Sequence, residues 1–275
     1  PAQQELHDHL LDITAQILAF QHGQQNVKFM MTTIRRQTAS CLHGLAPLLR
    51  DLMANKLDQL EIAEISDVDL PDEIGFTESI RAEITELLAR ADNLPPDDPK
   101  VDAFIKVLQG KRQLPNNKAL VFSTFRHTLA YLAEHLQRAD FRFGLIHGGI
   151  PDEERAELRR RFALPKTDAN ALDVLLSSEV GCEGLDFQFC DFLVNYDLPW
   201  NPMRIEQRIG RIDRYGQQSE AVAIVNFVTP GTVDGDIYER CLWRIGVFQH
   251  AIGGSEEILG EITRDLHDIA ERFDL

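Results

Sequence analysis

Positive charge is scarce in this sequence. Its 275 residues hold 28 Lys and Arg against 44 Asp and Glu, a formal net charge of −16. That balance excludes the bulk basic footprint of a general nucleic-acid binder, so any contact with a polyanion must be local. Cysteine is scarce as well. Cys41, Cys182, Cys190 and Cys241 form no Cys-x-x-Cys pair, which argues against structural zinc or a disulfide framework and fits reduced thiols in the cytoplasm. No apolar run approaches the ~18 residues of a membrane span. The opening Pro1-Ala2-Gln3-Gln4-Glu5 has neither the regions of a signal peptide nor an initiator Met. A cytoplasmic piece of a longer chain, with no membrane partner, is the expectation. A phosphate loop is missing too: Gly110-Lys111 runs into Arg112 without the earlier glycine, which disfavours a self-contained nucleotide-binding enzyme.

What is present is globular in kind, with 44% hydrophobic and 26% charged residues. Leu6, Leu10, Ile13, Ile17 and Phe20 recur at helical spacing, and long helices are expected from Gln3 to about Leu60. Residues 51–100 carry 14 acidic residues against Lys56, Arg81, Arg90 and Lys100, a local balance of 4 − 14 = −10. A short helical pattern at Ile80, Ile84, Leu87 and Leu88 leads to the Pro/Asp cluster Asn93–Pro99, the best domain boundary in the chain. Residues 1–96 are therefore expected to form a helical region with an acidic segment, and residues 97–275 a second unit with core 97–230. In that core, apolar runs at 119–122, 143–146, 172–176, 192–194 and 221–228 alternate with helical patterns at about 127–139, 151–164 and 202–214. Alternation of this kind predicts an α/β fold, a parallel sheet flanked by helices. Two further helices are expected at 233–250 and 255–272.

Ligands of open parallel sheets gather at the carboxyl ends of strands. There the sequence places Ser123, Thr124 and Arg126 after the first run, and His147-Gly148-Gly149 after the second. Ser177 through Asp186 follows the third, and Gln207-Arg208-Ile209-Gly210-Arg211-Ile212-Asp213-Arg214 lies after the fourth. Hydroxyls, glycines and arginines at strand ends suit close approach to phosphate. Arg211 and Arg214, three apart on an expected helix, would share a face and clamp a highly charged group. Arg159-Arg160-Arg161, with acids around it, reads instead as a solvated helix face.

These segments together carry a resemblance. Gln207 through Gln217 resembles motif VI of the superfamily-2 helicases and translocases in the form typical of the Swi/Snf branch. Ser177–Asp186 is similar to motif V, Val121–Phe125 to motif IV, and Asn195–Pro202 to the connection between V and VI. Within the branch the likeness is to the bacterial RapA-like group. The resemblance implies a RecA-like second lobe of a two-lobe, ATP-driven translocase on double-stranded DNA. Arg211 and Arg214 would be its arginine fingers, with Gly184, Asp186, Gln207 and Arg208 in the ATP site. Gln207 and Arg208 would brace that site rather than touch phosphate. Ser123, Thr124, Arg126, His147, Gly148, Ser177 and Ser178 would lie on the nucleic-acid track. It implies ATP with Mg2+, the metal held by a first lobe whose phosphate loop and Asp-Glu-x-His are absent here. The chain alone would then be inactive as an ATPase. Implied partners are double-stranded DNA, that first lobe, and RNA polymerase or another DNA-processing protein. The alternative reading is a catalytically silent RecA-like module that binds nucleic acid or protein.

Overall fold

The computed structural model describes residues 25–54, 78–199 and 202–229. The helices expected before residue 25 and after residue 230, and residues 55–77 of the acidic segment, lie outside the described residues. The described chain begins with α1 (Gln25–Ser40) and, after a single 3₁₀ turn, α2 (Leu45–Met53), followed by α3 (Glu78–Asp92) and α4 (Pro99–Gln113). Strand and helix then alternate: β1 (Ala119–Phe122), α5 (Arg126–Arg138), β2 (Phe143–Ile146), α6 (Asp152–Ala163), β3 (Val174–Ser177), β4 (Phe192–Asn195), α7 (Pro202–Ile209) and β5 (Ala223–Asn226). All five strands are parallel, in the order β2-β3-β1-β4-β5. The expected α/β class and RecA-like sheet are thus observed.

The central strands read as unbroken apolar runs because helices cover both faces. Alternate residues point opposite ways. Val121, Leu176 and Val194 join Phe104, Leu108, Leu129, Leu132 and Leu136 of α4 and α5 on one face. Leu120, Phe122, Leu175 and Leu193 meet Phe162 of α6, Phe187 and Ile212 on the other. Helix α4 adds to the helices that periodicity suggested, and its start is explained locally. Asp98 is extended and accepts N–H bonds from Lys100 (3.0 Å) and Val101 (3.2 Å), with Pro99 in the first turn, the arrangement that satisfies otherwise orphaned helix donors.

The helices before residue 96 pack onto this layer. Ile34, Leu45, Leu48, Leu49 and Leu52 are fully enclosed, with Ile84 and Leu87 of α3 against them. The end of α1 is tied to the sheet layer by polar contacts: Gln37 Nε2 donates to Thr128 Oγ1 (3.0 Å), and Lys100 Nζ donates to the carbonyls of Ser40 (2.9 Å) and Ala39 (3.2 Å).

One expectation is corrected. The helix predicted over 202–214 stops at Ile209, so Arg211 and Arg214 do not share a helical face. The amides of Arg211 and Ile212 bond three residues back, to Arg208 and Ile209, and the Arg211 carbonyl accepts from the Phe187 N–H at 2.8 Å. With that carbonyl turned to the β3–β4 loop and Ile212 drawn fully into the core, the regular i→i−4 ladder gives way to mixed turns, in which the Asp213 amide still reaches four residues back, to Ile209 at 2.8 Å.

Candidate active site: an arginine cleft at the strand ends

The site is built around a buried arginine. Arg208, on α7, is 1% exposed, and burying a guanidinium requires that its charge and donors be matched. Its Nε donates to Glu179 Oε1 (2.7 Å), its Nη1 to Asn195 Oδ1 (2.9 Å) and the Asp197 carbonyl (2.8 Å), and its Nη2 to Thr124 Oγ1 (3.3 Å). An ion pair to Asp197 Oδ1 lies at 3.9 Å, and the ring of Phe122 lies under the guanidinium at 5.2 Å. One side chain thereby joins the ends of β1, β3 and β4 to α7.

Asp197 is the second hub, 2% exposed. Its Oδ1 accepts the Thr124 amide at 2.8 Å; its Oδ2 accepts the hydroxyls of Ser123 and, at 2.6 Å, of Ser40 from α1. The long loop after β3 is fixed by other means. Gly181 passes so close to β2 that a Cβ there would sit 2.6 Å from the Ile146 carbonyl oxygen, so only glycine fits. Arg155 of α6 donates to the carbonyls of Gly181 (3.0 Å) and Glu183 (2.7 Å), and Arg159 to that of Asp186 (2.8 Å). The solvated face expected for Arg159 is therefore corrected. It holds the loop, and sequence spacing gave no sign of either clamp, because their targets are carbonyls about 25 residues away. Gly184, at φ +76°, turns this loop in the left-handed region, and Asp186 beyond it pairs with Arg214.

Between α7 and the loop lies a cleft of about 270 Å³ lined by Phe122, Glu179, Val180, Glu183, Arg204, Gln207, Arg208 and Arg211. The guanidiniums of Arg204 and Arg211 and the amide of Gln207 can receive a phosphate-sized anion, while Arg208, its donors committed inside, matches the Glu179 carboxylate. Arg204, absent from the sequence-based candidates, belongs to this wall. Gly184, Asp186 and Arg214 are not part of its lining.

The expected track residues divide into two groups. Ser123, Thr124, Ser177 and Ser178 are fully enclosed. The hydroxyl of Ser177 donates to the Ser178 carbonyl (2.7 Å) and contacts Cys182 Sγ (2.8 Å), and Ser178 Oγ accepts the Gly181 amide (3.2 Å). These hydroxyls shape the loops instead of facing solvent. Arg126 and His147 are half-buried and Gly148 is exposed; a Cβ placed on Gly149 would lie 4.0 Å from Arg126 Nη2, so these residues share one surface. Burial pushes the Cys182 thiol up to about 12, which makes it packing rather than a nucleophile. Among the described residues, no group of three His, Cys, Asp or Glu could hold a metal ion, and no helix is long and apolar enough to cross a membrane.

The strand-end loops of this parallel sheet thus converge on an arginine cleft. Residues 99–216 match the family described as the helicase conserved C-terminal domain, and this stretch is such a domain. The chain is homologous to the protein named uncharacterized ATP-dependent helicase YqhH of Bacillus subtilis (strain 168), 36% identical over 159 residues, which are 56% of this chain and 27% of that one. It is also homologous to the RNA polymerase-associated protein RapA of Serratia proteamaculans (strain 568), 36% identical over 132 residues, 48% of this chain and 13% of that one. The chain thus spans only a minor part of these relatives. Among solved structures, the C-terminal part of the Fun30 ATPase domain superposes with a TM-score of 0.55 at 20% identity, covering 87% of this chain and 84% of that chain; this likeness concerns the fold.

Proposed function

We propose that the chain is the second motor lobe of a Swi/Snf-like, ATP-dependent translocase on double-stranded DNA. The observation that carries this reading is the cleft in which Arg211 stands beside Arg204, Gln207 and the braced Arg208. Its charge and size suit the terminal phosphate of a nucleotide held mainly by another lobe. Arg211 neutralises charge on the transferring phosphoryl group; Arg214, paired with Asp186 in this structure, is released to assist. ATP with Mg2+ supplies the reacting phosphate, and the metal is held by the first lobe, the partner that completes the site. Arg126, His147 and Gly148 meet the DNA backbone, where contacts need not read sequence. The further partner is RNA polymerase, with which the RapA homologue is associated by name, or another DNA-processing protein. Without the first lobe this chain does not turn ATP over, because positioning and metal neutralisation dominate phosphoryl transfer.

The test is steady-state ATPase of the longer parent protein with saturating DNA, beside equilibrium binding of a labelled nucleotide. Arg211→Ala is expected to lower turnover by about 10³ to 10⁵ while nucleotide affinity changes by less than about tenfold, the pattern of an interaction made chiefly in the transition state. Arg211→Lys should rescue little, since an ammonium lacks the planar fork. Near-normal turnover in Arg211→Ala would overturn the assignment.

A further inference from the structure

We propose that Ser40, on α1 and outside the 99–216 stretch, is a positioning residue for the arginine cleft, acting through Asp197. The inference rests on the function proposed above. Ser40 is fully enclosed, and the single proton of its hydroxyl goes to Asp197 Oδ2 at 2.6 Å. The 2.9 Å contact between Ser40 Oγ and Thr128 Oγ1 must therefore be donated by Thr128. Thr128 in turn accepts from Gln37 Nε2 at 3.0 Å. A directed chain of donors thus runs Gln37, Thr128, Ser40, Asp197, each bond polarising the next.

Asp197 passes this constraint on. Its carboxylate fixes the Thr124 amide and faces Arg208, and its own carbonyl accepts from Arg208 Nη1. Arg208 shapes the wall of the cleft, and its carbonyl accepts the Arg211 amide at 3.1 Å. The route from α1 to the backbone that carries Arg211 is therefore short. A hydroxyl donating to a buried carboxylate is a strong tie. Its loss leaves Oδ2 with Ser123 alone and lets Asp197 turn, moving Arg208 and the turn that presents Arg211. Displacements of about 1 Å in such a site cost on the order of a hundredfold in rate.

The experiment uses the longer parent protein, with DNA-stimulated ATPase under steady-state and single-turnover conditions. Ser40→Ala is expected to lower kcat by about ten- to a hundredfold with the KM for ATP changed by less than about threefold. The control is Thr38→Ala, which removes a neighbouring buried hydroxyl that bonds only its own helix at Ile34; it should leave kcat within about twofold. In the Arg211→Ala background, Ser40→Ala should cause no further loss, since both act on one contact. Ser40→Cys fills the same space with a weaker donor and should fall between wild type and alanine, which keeps the test decisive if Ser40→Ala fails to fold. The proposal is overturned if Ser40→Ala retains normal kcat, or if it slows the wild-type and Arg211→Ala backgrounds by the same factor. If Arg211→Ala itself turns over normally, the function reading has failed and the positioning role falls with it.

Discussion

Arg208 and Arg214 are chemically the same side chain in opposite circumstances. Arg208 is enclosed between Glu179 and Asp197, whereas Arg214 and Asp186 are 48% and 34% exposed. Removing one member of a buried charge network leaves the other uncompensated and costs about 3–5 kcal/mol, while an exposed pair is worth at most about 1 kcal/mol. Urea unfolding of the chain should therefore show a marked loss for Arg208→Ala and little change for Arg214→Ala. Equal losses would mean that Arg208 is matched by water rather than by the carboxylates. The sequence pattern identifies Arg208 as a brace-like member of motif VI, but it cannot show which partners brace it. Those partners lie 11 to 84 residues away, and a serine or threonine after a strand looks the same whether its hydroxyl meets a ligand or an aspartate. That ambiguity explains why Ser123, Thr124, Ser177 and Ser178 are expected on a track and found inside.

At the scale of elements, the strands are legible because each is a short apolar run between turn residues, and β1, β2 and β4 fall within a residue of those runs. The C-terminal boundary of α7 is not, because Ile205, Ile209 and Ile212 keep helical spacing past the point where the Phe187 amide captures the Arg211 carbonyl. The loop after β3 offers a test that separates two uses of glycine. At Gly181 a methyl group would meet the backbone of Ile146 and His147, which neither a rotamer nor a side-chain shift can relieve, so Gly181→Ala should cost about 1–3 kcal/mol by overpacking and displace the loop. At Gly184 there is open space but φ is +76°, so Gly184→Ala carries only the left-handed strain of about 1–2 kcal/mol. Thermal unfolding of both variants, with proteolysis within 178–186 as a local probe, should show early cutting for Gly181→Ala only. Intact loops in both would discount the close approach.

At the scale of the molecule, burial has set the chemistry of three thiols. Desolvation pushes Cys41, Cys182 and Cys190 from 9.0 up to about 12. The folded protein keeps these protons where the unfolded chain loses them, so their contribution to stability is complete below about pH 9 and is lost as the pH rises from 9 towards 12. The thermal midpoint should fall over that window, and alkylation at pH 8 should spare all three until the protein is unfolded. Early labelling of Cys182 in the native state would show that the loop after β3 opens. The order of the chain adds a constraint of another kind. Ser40 and Asp197 are 157 positions apart, and at synthesis rates of about 5–20 residues per second the serine is added to the chain roughly 8 to 30 seconds before its aspartate. Thr128, 88 residues after Ser40, emerges sooner and gives the nascent α1 a first place to dock, whereas the arginine cleft cannot close until translation has passed Arg211, with only β5 of the described strands still to come.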